Sequence, residues 1–222
     1  MSASFYPIVV LISGSGSNLQ AIIDIIKNES LPAEIKTVIS NRPNAFGLQR
    51  ASDAGINTDT IDHTQYADRA SFDIELQQCI DQYKPKLVIL AGFMRILTAE
   101  FVNHYHGRLI NIHPSLLPDF PGLDTHQRAI DAKKTTHGAS IHFVTDELDG
   151  GPVISQIKVP VLTQDNADTV MERVREQEHI LYPQTVKWFI EGRIETKDKQ
   201  VIFDGKPLEN PLQCKPTSMQ NL

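Results

Sequence analysis

Apolar residues along this chain fall into two alternating rhythms. Residues 8–12, Ile-Val-Val-Leu-Ile, form an unbroken, largely β-branched run, as expected of a strand covered on both faces. A serine- and glycine-rich loop follows, and over residues 18–27 Leu19, Ile22, Ile23 and Ile26 recur at helical spacing. Residues 35–39 read as a second strand. Residues 46–54 read as a short helix closed by Gly55. A weaker strand spans 58–61, and a long amphipathic helix spans 68–83 with Phe72, Leu76, Cys79 and Ile80 on one stripe. Residues 87–91 are again wholly apolar. Residues 98–105 read as a short helix and 109–112 as the next strand.

This alternation predicts an α/β fold with a parallel sheet and crossover helices. The rhythm then changes. Strands at 139–144 and 153–159 are separated by a turn-rich stretch with no room for a helix, so they should pair antiparallel or lie at a sheet edge. A last long helix covers 168–190. Beyond Gly192 the chain turns polar, with one weak strand at 201–203 and a loose tail expected from about 196 to 222. No repeat or linker divides the chain, so one domain over 1–222 is expected.

Composition narrows the function classes. The chain has 222 residues and a formal net charge of −6, which speaks against a polyanionic nucleic-acid partner but leaves room for a local phosphate pocket. The apolar run at 8–12 is too short for a signal or a membrane span. The two cysteines, Cys79 and Cys214, form no C-x-x-C pair, which fits a reducing, cytoplasmic setting. No His/Cys cluster has metal-ligand spacing. His104 and His106 would not share a helical face, and His137 and His142 read as structural, or as supports to the chemistry.

The chemistry concentrates in four segments, and three of them, 13–18, 92–97 and 111–122, follow predicted parallel strands, where open sheets bind ligands. At Asn111-Ile112-His113-Pro114, two polar side chains stand two residues apart and so share a strand face. Pro114 ends the strand. An amide beside an imidazole can stabilise an oxyanion and move a proton, although a polar strand end before a proline-rich loop has the same look. Gly14-Ser15-Gly16-Ser17-Asn18 joins a strand to a helix N-terminus, a natural anion cradle. It is neither a Walker loop nor a complete dinucleotide fingerprint, and a plain βα turn is the alternative. In the turn-rich stretch, Asp149 precedes two glycines. A carboxylate close to His113 would keep that imidazole cationic. The loop at 92–97 could flank a planar ring or simply pack the next helix.

Taken together and in this order, Gly14-x-Gly16-Ser17-Asn18, Ala91-Gly92-Phe93-Met94-Arg95-Ile96-Leu97, Asn111 to Pro118, and Asp149-Gly150-Gly151 resemble the formyltetrahydrofolate-dependent formyltransferases. With Gln177-Glu178-His179 added, the resemblance narrows to the phosphoribosylglycinamide formyltransferases of purine biosynthesis and covers roughly residues 8–192. It implies a Rossmann-like open twisted sheet, parallel in the N-terminal half with antiparallel additions later and helices on both faces. It also implies a nucleotide-phosphate half over about 1–110 and a folate and catalytic half over about 111–195. Asn111, His113 and Asp149 would be the catalytic set. Gly16, Ser17, Asn18 and Glu178 would hold 5-phosphoribosylglycinamide. Arg69, Met94, Arg95, Ile96, Leu97 and Asn111, with the 139–149 region, would hold 10-formyltetrahydrofolate as co-substrate. No metal, membrane or nucleic-acid partner is implied, and a monomer or weak homodimer is expected. Three departures stand out: residues 1–6 resemble an added extension, Asp119 and Asp124 replace expected basic or neutral residues, and the stretch beyond Gly192 matches poorly.

Overall fold

The computed structural model describes residues 5–215. The chain opens with β1 (Tyr6–Ile12), α1 (Ser17–Asn28), β2 (Ala33–Ser40), α2 (Phe46–Asp53) and β3 (Thr58–Thr60), followed by a 3₁₀ turn at His63–Gln65. It continues through α3 (Arg69–Gln82), β4 (Leu87–Leu90), α4 (Ala99–His104) and β5 (Leu109–His113). The C-terminal part holds α5 (Thr125–Asp131), β6 (Thr136–Phe143), β7 (Val153–Pro160), α6 (Ala167–Ile190), β8 (Ile194–Lys197), β9 (Gln200–Phe203), β10 (Lys206–Pro207) and β11 (Leu212–Gln213).

The main sheet has the order β11-β7-β6-β5-β4-β1-β2-β3. From β3 through β5 its pairings are all parallel. Strand β6 then runs antiparallel to both β5 and β7, as the missing helix between β6 and β7 requires. The apolar run of β1 explains why both faces are covered. Ile8, Val10 and Ile12 pack with α1 and α6 in one core cluster, while Val9 and Leu11 pack with α3 and α4 in another. Alternate residues of one strand thereby anchor opposite helix layers.

Two helices open with reciprocal capping boxes. Asp68 accepts from the Ser71 N–H at 2.8 Å, opening α3, and Asn166 accepts from Thr169 N–H at 2.9 Å, opening α6. Helix α6 is also tied to the strands it covers: the buried Tyr182 hydroxyl lies 3.0 Å from the Leu90 carbonyl oxygen and 3.3 Å from that of Ile110.

Two expectations change and one element is added. Tyr6 belongs to β1 and pairs with Ala33, so the expected extension of residues 1–6 shrinks to residues 1–5, of which 1–4 lie outside the described residues. Helix α5 (Thr125–Asp131) fills a stretch to which the sequence reading assigns no element. The expected loose tail is structured as far as it is described: β8, β9 and β10 form a small antiparallel sheet, and β11 adds a parallel edge strand to β7. Arg193 bridges Asp204 through two contacts, 2.9 and 2.7 Å, and Trp188 packs edge-on against Phe203. These contacts fix a segment whose own sequence is mostly polar. Residues 216–222, the rest of that expected tail, lie outside the described residues.

Candidate active site

The strand order reverses beside β1, whose neighbours are β2 on one side and β4 on the other. Such a switch point opens a crevice at the carboxyl ends of the strands. The loops after β1, β4 and β5 meet at this end.

The loop after β1 is a backbone cradle. Gly16 has φ +70° and stands where an N-cap side chain would be, so the first N–H groups of α1 meet no capping side chain. A Cβ on Gly16 would lie 2.6 Å from the Gly47 Cα, which explains the glycine at that close approach. The loop is braced from α2: Gly47 N–H donates to the Gly14 carbonyl at 3.0 Å, and Arg50 Nε donates to that of Ser15 at 2.9 Å. Residues 13–18 line a cavity of about 210 Å³ together with Arg42, Ala91, Gly92 and Met94. Arg42 was not anticipated from the sequence. It lies just past β2, beside β1 in the sheet, and the strand order was the signal needed to find it.

Glu178 reaches this region from α6. Its Oε2 accepts from Asn18 Nδ2 at 2.9 Å. Burial pushes its pKa up to about 7, against the opposing pull of the Asn18 bond and the Arg175 charge. Asn18 Oδ1 is buried and has no hydrogen-bond partner.

The loop after β4 is held at both ends. Ser13 Oγ accepts from the Met94 N–H at 2.7 Å and donates to Asn41 Oδ1 at 2.6 Å. Asp73 accepts from the Thr98 N–H at 2.6 Å. Between these anchors Met94 and Ile96 are exposed, while Leu97 packs against the α3 and α4 core. Arg95 turns toward α3 with its guanidinium 5.4 Å from the Phe72 ring centre. Arg69 is exposed at the start of α3, and its charge only partly opposes the burial that raises the Asp73 pKa.

Past β5, the expected pair meets its carboxylate. His113 Nδ1 lies 3.4 Å from Asp149 Oδ2, with both side chains nearly buried. His113 Nε2 lies 2.9 Å from the Phe120 carbonyl oxygen. A carbonyl only accepts, so Nε2 carries a proton and donates to it, while Nδ1 faces Asp149. Asp149 is fixed in turn by the Gly122 N–H at 2.9 Å. Its backbone has φ +51°, a left-handed conformation that Asp tolerates. Gly151 follows where a Cβ would meet the Phe143 carbonyl oxygen at 1.8 Å, so the loop can lie against β6 only with glycine there. Asn111 Nδ2 lies 3.2 Å from His142 Nε2, across the β5–β6 ladder.

Behind these groups, Ser140 Oγ donates to the Ser115 carbonyl at 2.6 Å and accepts from the Leu117 N–H at 3.0 Å. Gln156 Nε2 binds both the Leu117 carbonyl and Ser140 Oγ at 2.9 Å. The half-buried His126 lies 3.2 Å from the buried His137, and burial pushes His137 down to about 4. Asp119, one of the two unexpected acids, is neutralised by Lys134 at 2.8 Å. The other, Asp124, is the N-cap of α5 in a left-handed conformation.

A sequence profile described as formyl transferase matches residues 6–186. The chain belongs to the formyl transferase family. Among the relatives of this formyl transferase, the phosphoribosylglycinamide formyltransferase of Escherichia coli K12 is 53% identical over 201 residues, covering 90% of this chain and 95% of that protein. The enzyme of the same name from Haemophilus influenzae is 44% identical over the same shares of each chain. The solved phosphoribosylglycinamide formyltransferase of Coxiella burnetii superposes with a TM-score of 0.90 at 51% identity, covering 94% of this chain and 99% of that one. No helix among the described residues is long and apolar enough to cross a membrane.

Proposed function

We propose that this formyl transferase moves the formyl group of 10-formyltetrahydrofolate to the amine of 5-phosphoribosylglycinamide, giving formylglycinamide ribonucleotide and tetrahydrofolate in purine biosynthesis. The observation that carries the reading is the meeting of Asn111, His113 and Asp149 from two distant segments at the end of β5, one strand beyond the β1–β4 crevice that holds the anion cradle. Near-full-length identity to enzymes of that name supports the same acceptor.

The substrate amine attacks the formyl carbon. A new C–N bond forms, the bond from that carbon to the folate nitrogen breaks, and one proton passes from the amine to the departing nitrogen. Negative charge gathers on the formyl oxygen in between and calls for donors fixed in advance. Asn111 supplies an amide N–H. Protonated His113 supplies Nδ1–H, whose 3.4 Å contact with Asp149 is long enough to be shared with a substrate oxygen. Asp149 is its charge partner. The same Nδ1 is the site through which a proton can be relayed.

The phosphate is assigned to the N–H groups of Gly16, Ser17 and Asn18, with Arg42 across the cavity as a further cation. Glu178 is assigned to the ribose hydroxyls. Met94, Ile96 and Leu97 offer an apolar flank to the pteridine ring, with Arg69 and Arg95 at the base of that loop and Asn111 between the two substrates. The phosphate is assigned to the half over about 1–110 and catalysis to the half over about 111–195, with the 94–97 loop and Glu178 crossing that division in one domain. The enzyme is assigned to the cytoplasm as a monomer or weak homodimer. The test is a formyl-transfer assay with 10-formyltetrahydrofolate, with and without the ribonucleotide. Transfer that depends on the ribonucleotide is expected. Equal formyl release in its absence would make the protein a hydrolase and overturn the reading.

A further inference from the structure

His142 faces Asn111 directly across the antiparallel β5–β6 ladder and is fully buried. Its Nδ1 lies 2.9 Å from the carbonyl oxygen of Phe143. Since that oxygen only accepts, Nδ1 must carry a proton. Burial pushes the imidazole pKa down to about 4, aided by the nearby His113 and opposed by the Phe143 bond and Asp149. At neutral pH the ring therefore holds its single proton on Nδ1, and Nε2 is bare. That bare nitrogen lies 3.2 Å from the Asn111 side-chain amide. The two ends of an amide are alike in shape, so packing alone does not choose between them. An acceptor on His142 does: it requires the NH₂ end of Asn111.

We infer that His142 is a positioning residue that sets the direction of the Asn111 amide, committing one N–H to His142 Nε2 and leaving the other for the oxyanion. The inference rests on the role given to Asn111 above. Were Nε2 protonated, Asn111 would turn its oxygen to His142, and the competing acceptor Asp149 Oδ1, 3.7 Å from Nε2, would draw the ring away. A reversed or freely turning amide presents the wrong charge to the developing oxygen part of the time. Imidazole suits the task because one ring atom is pinned to backbone while another holds the amide. The β6–β7 pairing shifts register between Ile141 and His142, where β7 carries the extra residue, Ile154.

A kinetic cycle tests the inference, with His142→Ala, Asn111→Ala and the double variant assayed for formyl transfer to the ribonucleotide. His142→Ala should lower kcat by about tenfold to a hundredfold, less than the roughly 100- to 1,000-fold cost of losing a donor outright, with KM values near wild type. In the Asn111→Ala background the same change should cost nothing more, because it acts through the missing amide. His142→Gln, whose Oε1 can accept from Asn111, should recover part of kcat and guards against a merely misfolded alanine variant. An unchanged kcat in His142→Ala, or losses that multiply in the double variant, would overturn the inference. Nitrogen-15 NMR of the wild-type imidazoles gives a readout independent of turnover. A neutral Nδ1–H tautomer for His142 at pH 7 is expected, and an Nε2–H tautomer or an imidazolium would overturn it. A wild-type protein that bound the ribonucleotide but transferred nothing to it would instead overturn the function, and the NMR signature would tell the two failures apart.

Discussion

The anion cradle after β1 and the polar cluster after β5 occupy the same end of the sheet but are built in opposite ways. The cradle is local: five consecutive residues offer backbone N–H groups at one helix terminus, and α2 braces them. The cluster is non-local: Asn111 and His113 come from β5, His142 from β6, and Asp149 from the loop beyond it. A local, backbone-made site is set by conformation, so it is damaged by changing a glycine. A non-local, side-chain-made site is set by register and protonation, so on the proposed reading single side-chain substitutions should silence it without disturbing the fold. Binding is thus assigned to the first and chemistry to the second.

The sharpest break of this comparison is His113→Ala. It should lower kcat by about 100- to 1,000-fold, as loss of a preorganised donor does, with thermal unfolding close to wild type. A smaller loss would move the chemistry elsewhere. Next is Gly16→Ala. The left-handed backbone costs an L-residue about 1–2 kcal/mol, and the added Cβ would press on Gly47. The KM for the ribonucleotide should rise about tenfold or more while the KM for the folate changes little. Parallel changes in both would show that the two regions are not separable.

Glu178 sharpens the comparison through pH. Its folded pKa is raised to about 7 from an ordinary carboxylate value, so the folded state favours the neutral acid. Its contribution to stability is complete at pH values below about 4.3, the unfolded value, and is lost as pH rises through 7. Glu178→Gln should flatten that part of the unfolding-temperature profile, and an unchanged slope would remove the buried carboxylate as its cause. The smallest effect is expected at Tyr182→Phe. Removing the hydroxyl shared by the Leu90 and Ile110 carbonyls should cost about 1 kcal/mol of stability, read by denaturant unfolding, with kcat unchanged.

The same contrast explains what the sequence could reveal. Strands β1 and β4 hold continuous apolar runs because both sheet faces are covered, so their positions are visible in one dimension. The cradle is visible for the same reason: it is contiguous. Helix α5 is not, because Thr125–Asp131 has no long apolar stripe and its N-cap, Asp124, makes no side-chain capping bond. The strands after Gly192 are short, and their order comes from contacts such as Arg193–Asp204 and from the edge of β7 rather than from a hydrophobic pattern. Asp149 was reachable only as a carboxylate beside glycines, and its contact with His113 needed the fold. The partnership of His142 with Asn111 was hidden altogether, since it depends on the β5–β6 register. Arg42 was hidden by the strand order.

The division of labour is tested most directly by one pair of numbers from Asn111→Ala: the dissociation constant for the ribonucleotide and the single-turnover rate of formyl transfer at saturating substrates. The account predicts wild-type affinity with a rate about 100- to 1,000-fold lower. A rate near wild type, or a loss explained by weakened ribonucleotide binding, would contradict it.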